Sequence, residues 1–424
     1  MLKKMINLSL MLLICVVVSW LLIMQPSLAY LLPITPPDVE EVQARHYSAA
    51  AVYSVAFSPD GKTALSIGYD NTIKWWDLST GRVIKTVGEL SRYSNVESVA
   101  FSPDGKTALW GNDNKMLKWW DLSTGGVIKT LGKYSFYCRV IKSVAFSPDG
   151  KTALSGSQDK KMKWWDLSTG RVIKSLEGHF STVNSVAFSP DGKTALSGSD
   201  DRTVKWWDLS TGSGLIKTLE GHSKSVNSVA FSPDGKTALS GSSDKTLKWW
   251  NLSTGRVIKT LEVYSHVETV AFSPDGRTAL SGNEDKTVKW WDLSTGRVLK
   301  ILKGHSSTVY SVAFSPDSKT VLSGDSHCTR LWNLETGKEI IKMLSFRYGE
   351  VAIMPKQGYY VASSNGEQYV KVRIGGSYYD IDKYKTFYYR PDIIKLALQF
   401  GETERAITLA NKRCESGKPI GGDE

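Results

Sequence analysis

Short stretches of alternating apolar and polar residues recur along most of the chain, with turn residues between them. Between positions 183 and 219, four stretches have the alternation and the β-branched or aromatic content typical of strands: Ser185–Phe188, Thr194–Ser197, Thr203–Asp208 and Leu215–Leu219. Asp191-Gly192 separates the first two stretches and provides the positive φ angles that a tight hairpin needs. The pattern predicts a unit of four antiparallel strands.

This unit is repeated seven times. The hexapeptide Val-Ala-Phe-Ser-Pro-Asp recurs every 41 to 45 residues, with its phenylalanine at Phe57, Phe101, Phe146, Phe188, Phe231, Phe272 and Phe314. A tryptophan keeps the same period, at Trp76, Trp120, Trp165, Trp207, Trp250, Trp291 and Trp332. Two anchors with one period indicate a repeat protein, and a repeat of four strands is typical of a propeller blade.

The repeats resemble those of the WD40 family, in which Gly-His stands near the start of a repeat and Trp-Asp at its end. Trp-Asp is present in five repeats, and Asn251 and Asn333 replace the aspartate in the other two. Gly-His is present at Gly178-His179, Gly221-His222 and Gly304-His305. The resemblance covers residues 46 to 343. It implies an all-β WD40 propeller with seven clear four-stranded blades.

The resemblance also implies a buried hydrogen-bond network that joins His, Ser, Asp and Trp within a blade. Two blades have the complete set, at His179, Ser197, Asp201 and Trp207, and at His222, Ser240, Asp244 and Trp250. We interpret these as structural tetrads and not as catalytic Ser-His-Asp sites, because the spacing recurs and ends on a tryptophan donor.

The other blades depart from this pattern. Ser48, Arg92, Tyr137 and Val263 stand at the histidine position in blades 1, 2, 3 and 6, and blade 7 has Ser326-His327 where aspartate is expected. We expect these blades to depend more on packing, to which a second tryptophan contributes in six repeats. These tryptophans are Trp75, Trp119, Trp164, Trp206, Trp249 and Trp290.

Three stretches after the seventh repeat have strand composition but lack Trp-Asp: Glu350–Met354, Tyr359–Ser363 and Tyr369–Ile374. Val39–Ala44 lies where other repeats place their fourth strand. We therefore predict a degenerate eighth blade that is built from the C-terminal strands and closed by Val39–Ala44. The alternative is a seven-bladed ring with residues 345 to 390 packed outside it.

The segment from Gly358 to Asp392 is similar to the one that follows the propeller in bacterial WD40 proteins, some of which carry a caspase-like peptidase domain. Ile393–Phe400 has the pattern of a short amphipathic helix, and Gly417–Glu424 is expected to be a frayed tail. The resulting division of the chain is 1–29 as signal peptide or membrane anchor, 30–45 as linker and ring-closing strand, 46–344 as repeats, 345–390 as degenerate blade or cap, and 391–424 as short helix and flexible tail.

The N-terminus has the three regions of a secretory signal. Lys3 and Lys4 precede an apolar run from Leu8 to Met24, and Ser27 and Ala29 provide the small residues of a cleavage site. Cleavage after Ala29 is favoured, and the rival interpretation is an uncleaved anchor that tethers the protein to a membrane through residues 6–24. Either interpretation predicts a secreted or periplasmic protein, free or anchored.

The remaining composition argues against several chemistries. The net charge is +11, but most lysines recur at fixed repeat positions, so the charge surrounds a ring and does not form a nucleic-acid stripe. Cys138, Cys328 and Cys414 form neither a disulfide framework nor a zinc motif. No phosphate loop or nucleophile elbow occurs. We expect no cofactor, no metal and no enzyme activity.

The connections between the fourth strand of one repeat and the first strand of the next vary most, and they are rich in the residue types that protein interfaces favour. The predicted partner-binding rim consists of Arg92, Tyr93, Tyr134, Tyr137, Arg139, Tyr264 and Tyr310, and Phe180 lies in another of these connections. We predict a monomeric scaffold that binds a protein or peptide. The alternatives are a propeller that binds cell-envelope glycan and, less favoured, a propeller enzyme.

Overall fold

The structure, a computed structural model, describes residues 39–44, 51–68, 72–87, 96–112, 116–133, 140–211, 214–346, 349–354, 356–374 and 377–415. Its first seven sheets are the predicted repeats, each with its strands in antiparallel sequence order. The strands of blades 1 to 3 are β2 (Val52–Phe57), β3 (Thr63–Gly68), β4 (Ile73–Asp77), β5 (Arg82–Val87), β6 (Val96–Phe101), β7 (Thr107–Asn112), β8 (Met116–Asp121), β9 (Val127–Lys133), β10 (Ile141–Phe146), β11 (Thr152–Ser157), β12 (Met162–Asp166) and β13 (Val172–Leu176).

Blades 4 to 7 repeat this arrangement. Their strands are β14 (Val183–Phe188), β15 (Thr194–Ser199), β16 (Val204–Asp208), β17 (Gly214–Leu219), β18 (Val226–Phe231), β19 (Thr237–Ser242), β20 (Thr246–Asn251), β21 (Arg256–Glu262), β22 (Val267–Phe272), β23 (Thr278–Asn283), β24 (Thr287–Asp292), β25 (Val298–Lys303), β26 (Val309–Phe314), β27 (Thr320–Asp325), β28 (Thr329–Asn333) and β29 (Glu339–Phe346). The predicted fold class, an all-β propeller of four-stranded blades, is confirmed.

The hairpin between the first and second strands shows why the sequence folds this way. In blade 4, Asp191 Oδ1 accepts hydrogen bonds from Ser189 Oγ at 2.6 Å and from the Lys193 N–H at 3.0 Å. Gly192 follows with φ of 70°, a conformation that costs glycine little. The same Ser-Pro-Asp turn forms in all seven blades.

The ring closes directly between blade 7 and blade 1. Ser311 Oγ of blade 7 accepts a hydrogen bond from the Val55 N–H of blade 1 at 3.0 Å, and the equivalent serine bonds the next blade at five other seams. A Cβ atom on Gly324 would lie 2.8 Å from Val52 Cγ1, just as one on Gly241 would lie 2.5 Å from Val267 Cγ1. Seam 7/1 is therefore built like the interior seams, and the ring has seven blades.

The C-terminal strands form further sheet structure outside this ring. β30 (Gly349–Ile353) and β31 (Tyr360–Ala362) extend blade 7 to six strands. β1 (Glu41–Ala44), β32 (Val370–Ile374) and β33 (Ser377–Asp380) form an eighth, three-stranded sheet. The predicted pairing of the N-terminal strand is present, with Val42 opposite Val372. We expected this sheet to be the eighth blade of the ring. It lies outside the ring instead, because blade 1 already occupies the place beside blade 7.

Three helices complete the described chain: α1 (Lys385–Tyr388), α2 (Pro391–Phe400) and α3 (Thr403–Glu415), besides two 3₁₀ turns at Glu367–Tyr369 and Ile381–Tyr384. α2 was predicted. α3 was not, since the sequence predicts a flexible tail after the short helix. The two helices pack Ile393, Ile394 and Ala406 into one core with residues of blades 7 and 1. The C-terminal extension, residues 349–415, therefore covers the outside of seam 7/1.

Within the described part of the chain, no helix is both long and apolar enough to cross a membrane. The predicted signal or anchor at residues 1–29 lies outside the described residues.

Ring closure can be tested by filling the seam. Gly324→Val and Gly241→Val each place methyl groups against valines of the neighbouring blade, so each should lower the free energy of unfolding by roughly 1–3 kcal/mol. Denaturant unfolding followed by tryptophan fluorescence measures this. Gly126→Ala, where an added Cβ meets nothing closer than 3.4 Å, is the control and should change little. A harmless Gly324→Val beside a damaging Gly241→Val would contradict a seven-bladed ring.

Candidate functional site

The structure brings together both tetrads that were identified in the sequence. In blade 4, Ser197 Oγ lies 2.7 Å from His179 Nε2 and accepts a hydrogen bond from Trp207 Nε1 at 2.8 Å. His179 Nδ1 lies 2.7 Å from Asp201 Oδ2. Blade 5 repeats these contacts with His222, Ser240, Asp244 and Trp250, at 2.7 to 2.8 Å.

The surroundings of the tetrads explain their role. Burial alone would raise the pKa of Asp201, but hydrogen bonds from His179, Thr203 and the Phe180 N–H outweigh it and hold that pKa below its ordinary range. The side chain of His179 is 1% exposed, and Ser197 Oγ already accepts the indole N–H. The serine is thus enclosed and occupied, so the arrangement fastens the loop before a blade to the blade's third strand.

Blade 7 contains a third tetrad that the sequence interpretation missed. His305 Nε2 lies 2.6 Å from Ser323 Oγ, and that oxygen accepts a hydrogen bond from Trp332 Nε1 at 2.7 Å. His305 Nδ1 lies 2.9 Å from Asp325 Oδ2. The aspartate follows the serine by two positions instead of four. The expectation that blade 7 depends on packing in place of a tetrad is therefore wrong, because a carboxylate from the end of β27 reaches the same histidine.

The blades without the histidine keep part of the network. Trp76, Trp165 and Trp291 still donate to the serine of their own blade, at 2.8 to 3.0 Å. Blade 2 replaces that serine with Trp110, whose ring packs at 65° to Trp120 with centroids 4.8 Å apart. The second tryptophans pack partly buried against the blade cores, as expected.

One group of potential metal ligands exists among the described residues. Donor atoms of His305, Asp325 and Cys328 lie within 4.8 Å of one another, and all three side chains are buried. Burial raises the pKa of the Cys328 thiol to about 12, which keeps it protonated. Since His305 and Asp325 have the contacts of their counterparts in blades 4 and 5, we assign this group to the tetrad.

The predicted rim is described only in part. Arg92, Tyr93, Tyr134, Tyr137 and Arg139 lie outside the described residues. Tyr264 is 84% exposed and has φ of 65°, which is uncommon for an aromatic residue. Phe180 is 82% exposed in the corresponding loop of blade 4. Both loops precede a first strand, so they lie at the end of the ring where the first strands begin.

The first strands line a central channel of about 700 Å³. Its wall consists of the repeated Val-Ala-Phe-Ser-Pro segments of all seven blades and is mainly apolar. Metal-assisted or acid–base chemistry requires carboxylates or histidines that converge on a site, and this wall presents none. The channel wall therefore offers packing surface and no catalytic groups.

Variation appears at the second position of the first strand, directly after the valine or isoleucine with which that strand begins. The seven equivalent residues have four side-chain types, and we call them the mouth ring: Tyr53, Glu97, Lys142, Asn184, Asn227, Glu268 and Tyr310. They precede the lining segments along each strand, so they surround the channel mouth at the end that also carries Phe180 and Tyr264. The sequence interpretation found Tyr310 but not its counterparts, although alignment of the repeats on Val-Ala-Phe would have shown them.

Neighbours in the mouth ring contact one another across the seams. Lys142 Nζ lies 3.3 Å from Glu97 Oε1, and Tyr53 and Tyr310 pack edge to face with centroids 5.8 Å apart. Asn227 Nδ2 lies 3.4 Å from Glu268 Oε2. Burial raises the pKa of Glu268, against the opposing effect of the nearby His266 and with a smaller contribution from Glu284. The mouth ring is a polar and aromatic rim around an apolar channel, and these contacts join its members at three of the seams.

A second concave site lies between blade 1 and the C-terminal extension, with a volume of about 420 Å³. Glu350, Arg82 and Tyr389 line it. Lys74 Nζ of blade 1 donates a hydrogen bond to Glu350 Oε1 at 2.8 Å, and Arg82 Nη2 donates one to Tyr389 OH at 2.8 Å. These contacts fasten the extension to blade 1.

Comparison with known families agrees with this architecture. The family model described as IFT122 first beta-propeller matches residues 140–374, and the model described as WD domain, G-beta repeat, matches residues 41–77. The chain belongs to the WD40 β-propeller family. No curated protein matches the chain significantly. WD40 propellers are generally non-catalytic scaffolds that bind protein partners, which directs attention to the mouth ring and its loops.

The tetrad of blade 7 can be tested at its carboxylate. Asp325 also accepts the N–H groups of Ser306, His327 and Cys328, so Asp325→Ala leaves several buried donors without a partner. We expect a loss of roughly 3–5 kcal/mol in the free energy of unfolding. His327→Ala, at the position where the repeat pattern placed the missing carboxylate, should cost less than about 1 kcal/mol. Equal losses in the two variants would contradict the assignment.

The buried histidine of blade 7 predicts a pH effect. Burial lowers the pKa of His305 in the folded state below its ordinary value of 6.5. The unfolded chain then binds more protons below pH 6.5, so stability falls as the pH falls, by up to about 1.4 kcal/mol per pH unit. Unfolding of the protein and of His305→Gln at pH 7.5 and 5.5 measures this, and the variant should lose less stability on acidification. An unchanged difference in the variant would show that His305 is not responsible.

Proposed function

We propose that this protein is a non-catalytic scaffold that binds a protein or peptide partner outside the cytoplasm, through the end of the ring that carries the mouth ring, Phe180 and Tyr264. The observation that carries the proposal is the position of the differences between repeats. Repeats that share their core, hairpin and channel residues differ at one channel mouth and in the loops beside it. A partner that meets this end therefore meets side chains that vary around the ring, of four types in the mouth ring and of further types in the loops.

The exposed residues at this end suit such a partner. Aromatic residues contribute large contact areas with few rotatable bonds, and they dominate the energetics of protein interfaces. Phe180 and Tyr264 are among the most exposed large apolar side chains of the described chain. They project from loops beside a rigid ring, so little conformational entropy is lost when a partner binds.

Location outside the cytoplasm rests on the N-terminal sequence. The charged start, the apolar run to Met24 and the small residues at Ser27 and Ala29 favour export, with cleavage or with retention as an anchor. We further propose a monomer of the bacterial type, whose C-terminal extension corresponds to the segment found beside caspase-like peptidases in related proteins. In this chain the extension covers seam 7/1, at the outside of the ring, and leaves the channel mouth to the partner.

Affinity capture from the cell envelope tests the proposal. Mild crosslinking should recover a discrete partner with the intact protein, and Phe180→Ala with Tyr264→Ala and Tyr310→Ala should reduce the recovery about tenfold or more. The matched control replaces Ile173, Ile216 and Ile258, which are exposed on the outer strands, with alanine and should bind normally.

A second variant tests the rest of the rim, with Arg92, Tyr93, Tyr137 and Arg139 all replaced by alanine. Unchanged capture by both rim variants would contradict binding at this end. Recovery of wall glycan without a protein would favour the alternative of a glycan-binding propeller.

A further inference from the structure

The cavity between blade 1 and the C-terminal extension has the size and the charge of a site for a small ligand. We infer that it binds a carboxylate group carried on a short apolar body, and that Arg82 recognises the carboxylate. Its volume of about 420 Å³ lies in the range of small-molecule pockets. The cavity shares no lining residue with the central channel, so the inference does not rest on the proposed function.

Four of the described residues that line the cavity are charged, and three of these have a partner of opposite charge. Glu350 Oε1 lies 2.8 Å from Lys74 Nζ, and Glu367 Oε2 lies 2.7 Å from Lys385 Nζ. The fourth, Arg82, is exposed and takes part in none of the ion pairs between described residues. One positive charge in the cavity is therefore left for a ligand.

A tyrosine of the extension holds the guanidinium of Arg82. Arg82 Nη2 donates a hydrogen bond to Tyr389 OH at 2.8 Å, which leaves its other N–H groups for a ligand. Tyr389 is positioned in turn, because its ring packs at 72° to that of Tyr360 with centroids 5.5 Å apart, and its backbone N–H donates to Lys385 O at 2.8 Å. A planar guanidinium that is oriented in this way suits the two oxygens of a carboxylate.

The balance of charge selects among anions. A group with one negative charge matches Arg82, whereas a doubly charged phosphate would find no second cation, because both lysines already pair with glutamates. The hydrogen bond to Glu367 raises the pKa of Lys385, with a smaller contribution from Asp382, so the charge of this lysine is answered by acidic groups beside it. A positively charged group would be repelled by Arg82.

Apolar residues form another part of the lining and select the body of the ligand. Trp76, Ala352 and Val361 belong to the core that joins blades 7 and 1 to the extension, and Val83 packs against the same core. These residues provide packing surface for an alkyl group, which an inorganic anion lacks. The lining therefore favours an organic acid. The same chemistry is present in a free carboxylic acid and at the C-terminus of a peptide that ends in an apolar residue.

Comparison of the repeats shows that the extension creates this site. Arg171, Arg256 and Arg297 stand at the position of Arg82 in blades 3, 5 and 6, and they are exposed as well. Of these four arginines, Arg82 is the one whose side chain meets the extension, through Tyr389. The repeat supplies the cation, and the extension supplies the cavity around it.

Calorimetric titration of the intact protein with matched probes tests the inference. Isocaproate should bind, and its neutral amide should bind about tenfold more weakly or worse. Arg82→Gln should reduce the affinity for isocaproate about tenfold or more, because it removes the charge that matches the carboxylate. Tyr389→Phe removes the hydroxyl that orients the guanidinium and should reduce the affinity about threefold.

Arg171→Gln is the matched control, because it removes the same charge from the equivalent position of blade 3 and should leave the affinity unchanged. Thermal unfolding of each variant confirms that it is folded. Equal losses in Arg82→Gln and Arg171→Gln would show a general effect of net charge and would overturn the inference.

A peptide with the sequence acetyl-Gly-Gly-Leu distinguishes the two sources of the carboxylate. If it binds more tightly than isocaproate and its C-terminally amidated form does not bind, the ligand is the C-terminus of a partner. If isocaproate binds more tightly than the peptide, the ligand is a free organic acid. Either order supports the site.

Three other results would overturn the inference. They are equal affinity for isocaproate and its amide, unchanged binding by Arg82→Gln, and a failure of both isocaproate and the peptide to bind at millimolar concentration. None of them concerns the channel mouth, so the scaffold function would stand or fall on the capture experiment alone.

Discussion

The whole structure depends on the contact between the second strand of one blade and the first strand of the next. A glycine in the second strand removes the side chain at the point of closest approach, and a valine or isoleucine of the next blade fills that space, as Val267 does against Gly241. A serine hydroxyl bonds the neighbouring backbone in the same seam. Six of the seven seams have this glycine, whereas blade 1 has Ile67 at the equivalent position. The same contact therefore recurs around most of the ring, including seam 7/1, where the ring closes.

Closure explains why the C-terminal strands lie outside the ring. Once Ser311 and Gly324 have met blade 1, no inner position is left for an eighth blade. The extension instead occupies the outer part of the same seam. At other seams a lysine of the fourth strand donates to a carbonyl oxygen in the next blade, as Lys85 does to Ser123 at 2.7 Å. At seam 7/1, Ile394 and Leu398 of α2 contact the turn at Gly81 instead.

Much of this architecture could be predicted from the sequence, because strand length, hairpin turns and the anchoring tryptophan are local signals that repeat seven times. Ring closure could not, since it depends on whether Gly324 meets Val52 or a later strand, and both candidates have suitable residues. The third tetrad was missed because Asp325 reaches His305 from a different backbone position, which spacing alone does not show. The mouth ring was missed, apart from Tyr310, because its members are far apart in the sequence and their contacts across the seams appear only once neighbouring blades are packed together.

A ring of equal blades has a difficulty as a binding surface, because a partner would find seven equivalent ways to dock. Only residues that differ between blades can select one of them. Asn333 illustrates this within the chain. Its side-chain oxygen accepts a hydrogen bond from the Thr336 N–H, and its side-chain nitrogen donates one to Gly401 O at 3.0 Å. The aspartate of most repeats cannot make the second bond, because an ionised carboxylate has no hydrogen to donate. That single amide helps α2 dock on blade 7. By the same reasoning, the mouth-ring residues and loops that differ between blades are the ones that can fix the orientation of a partner.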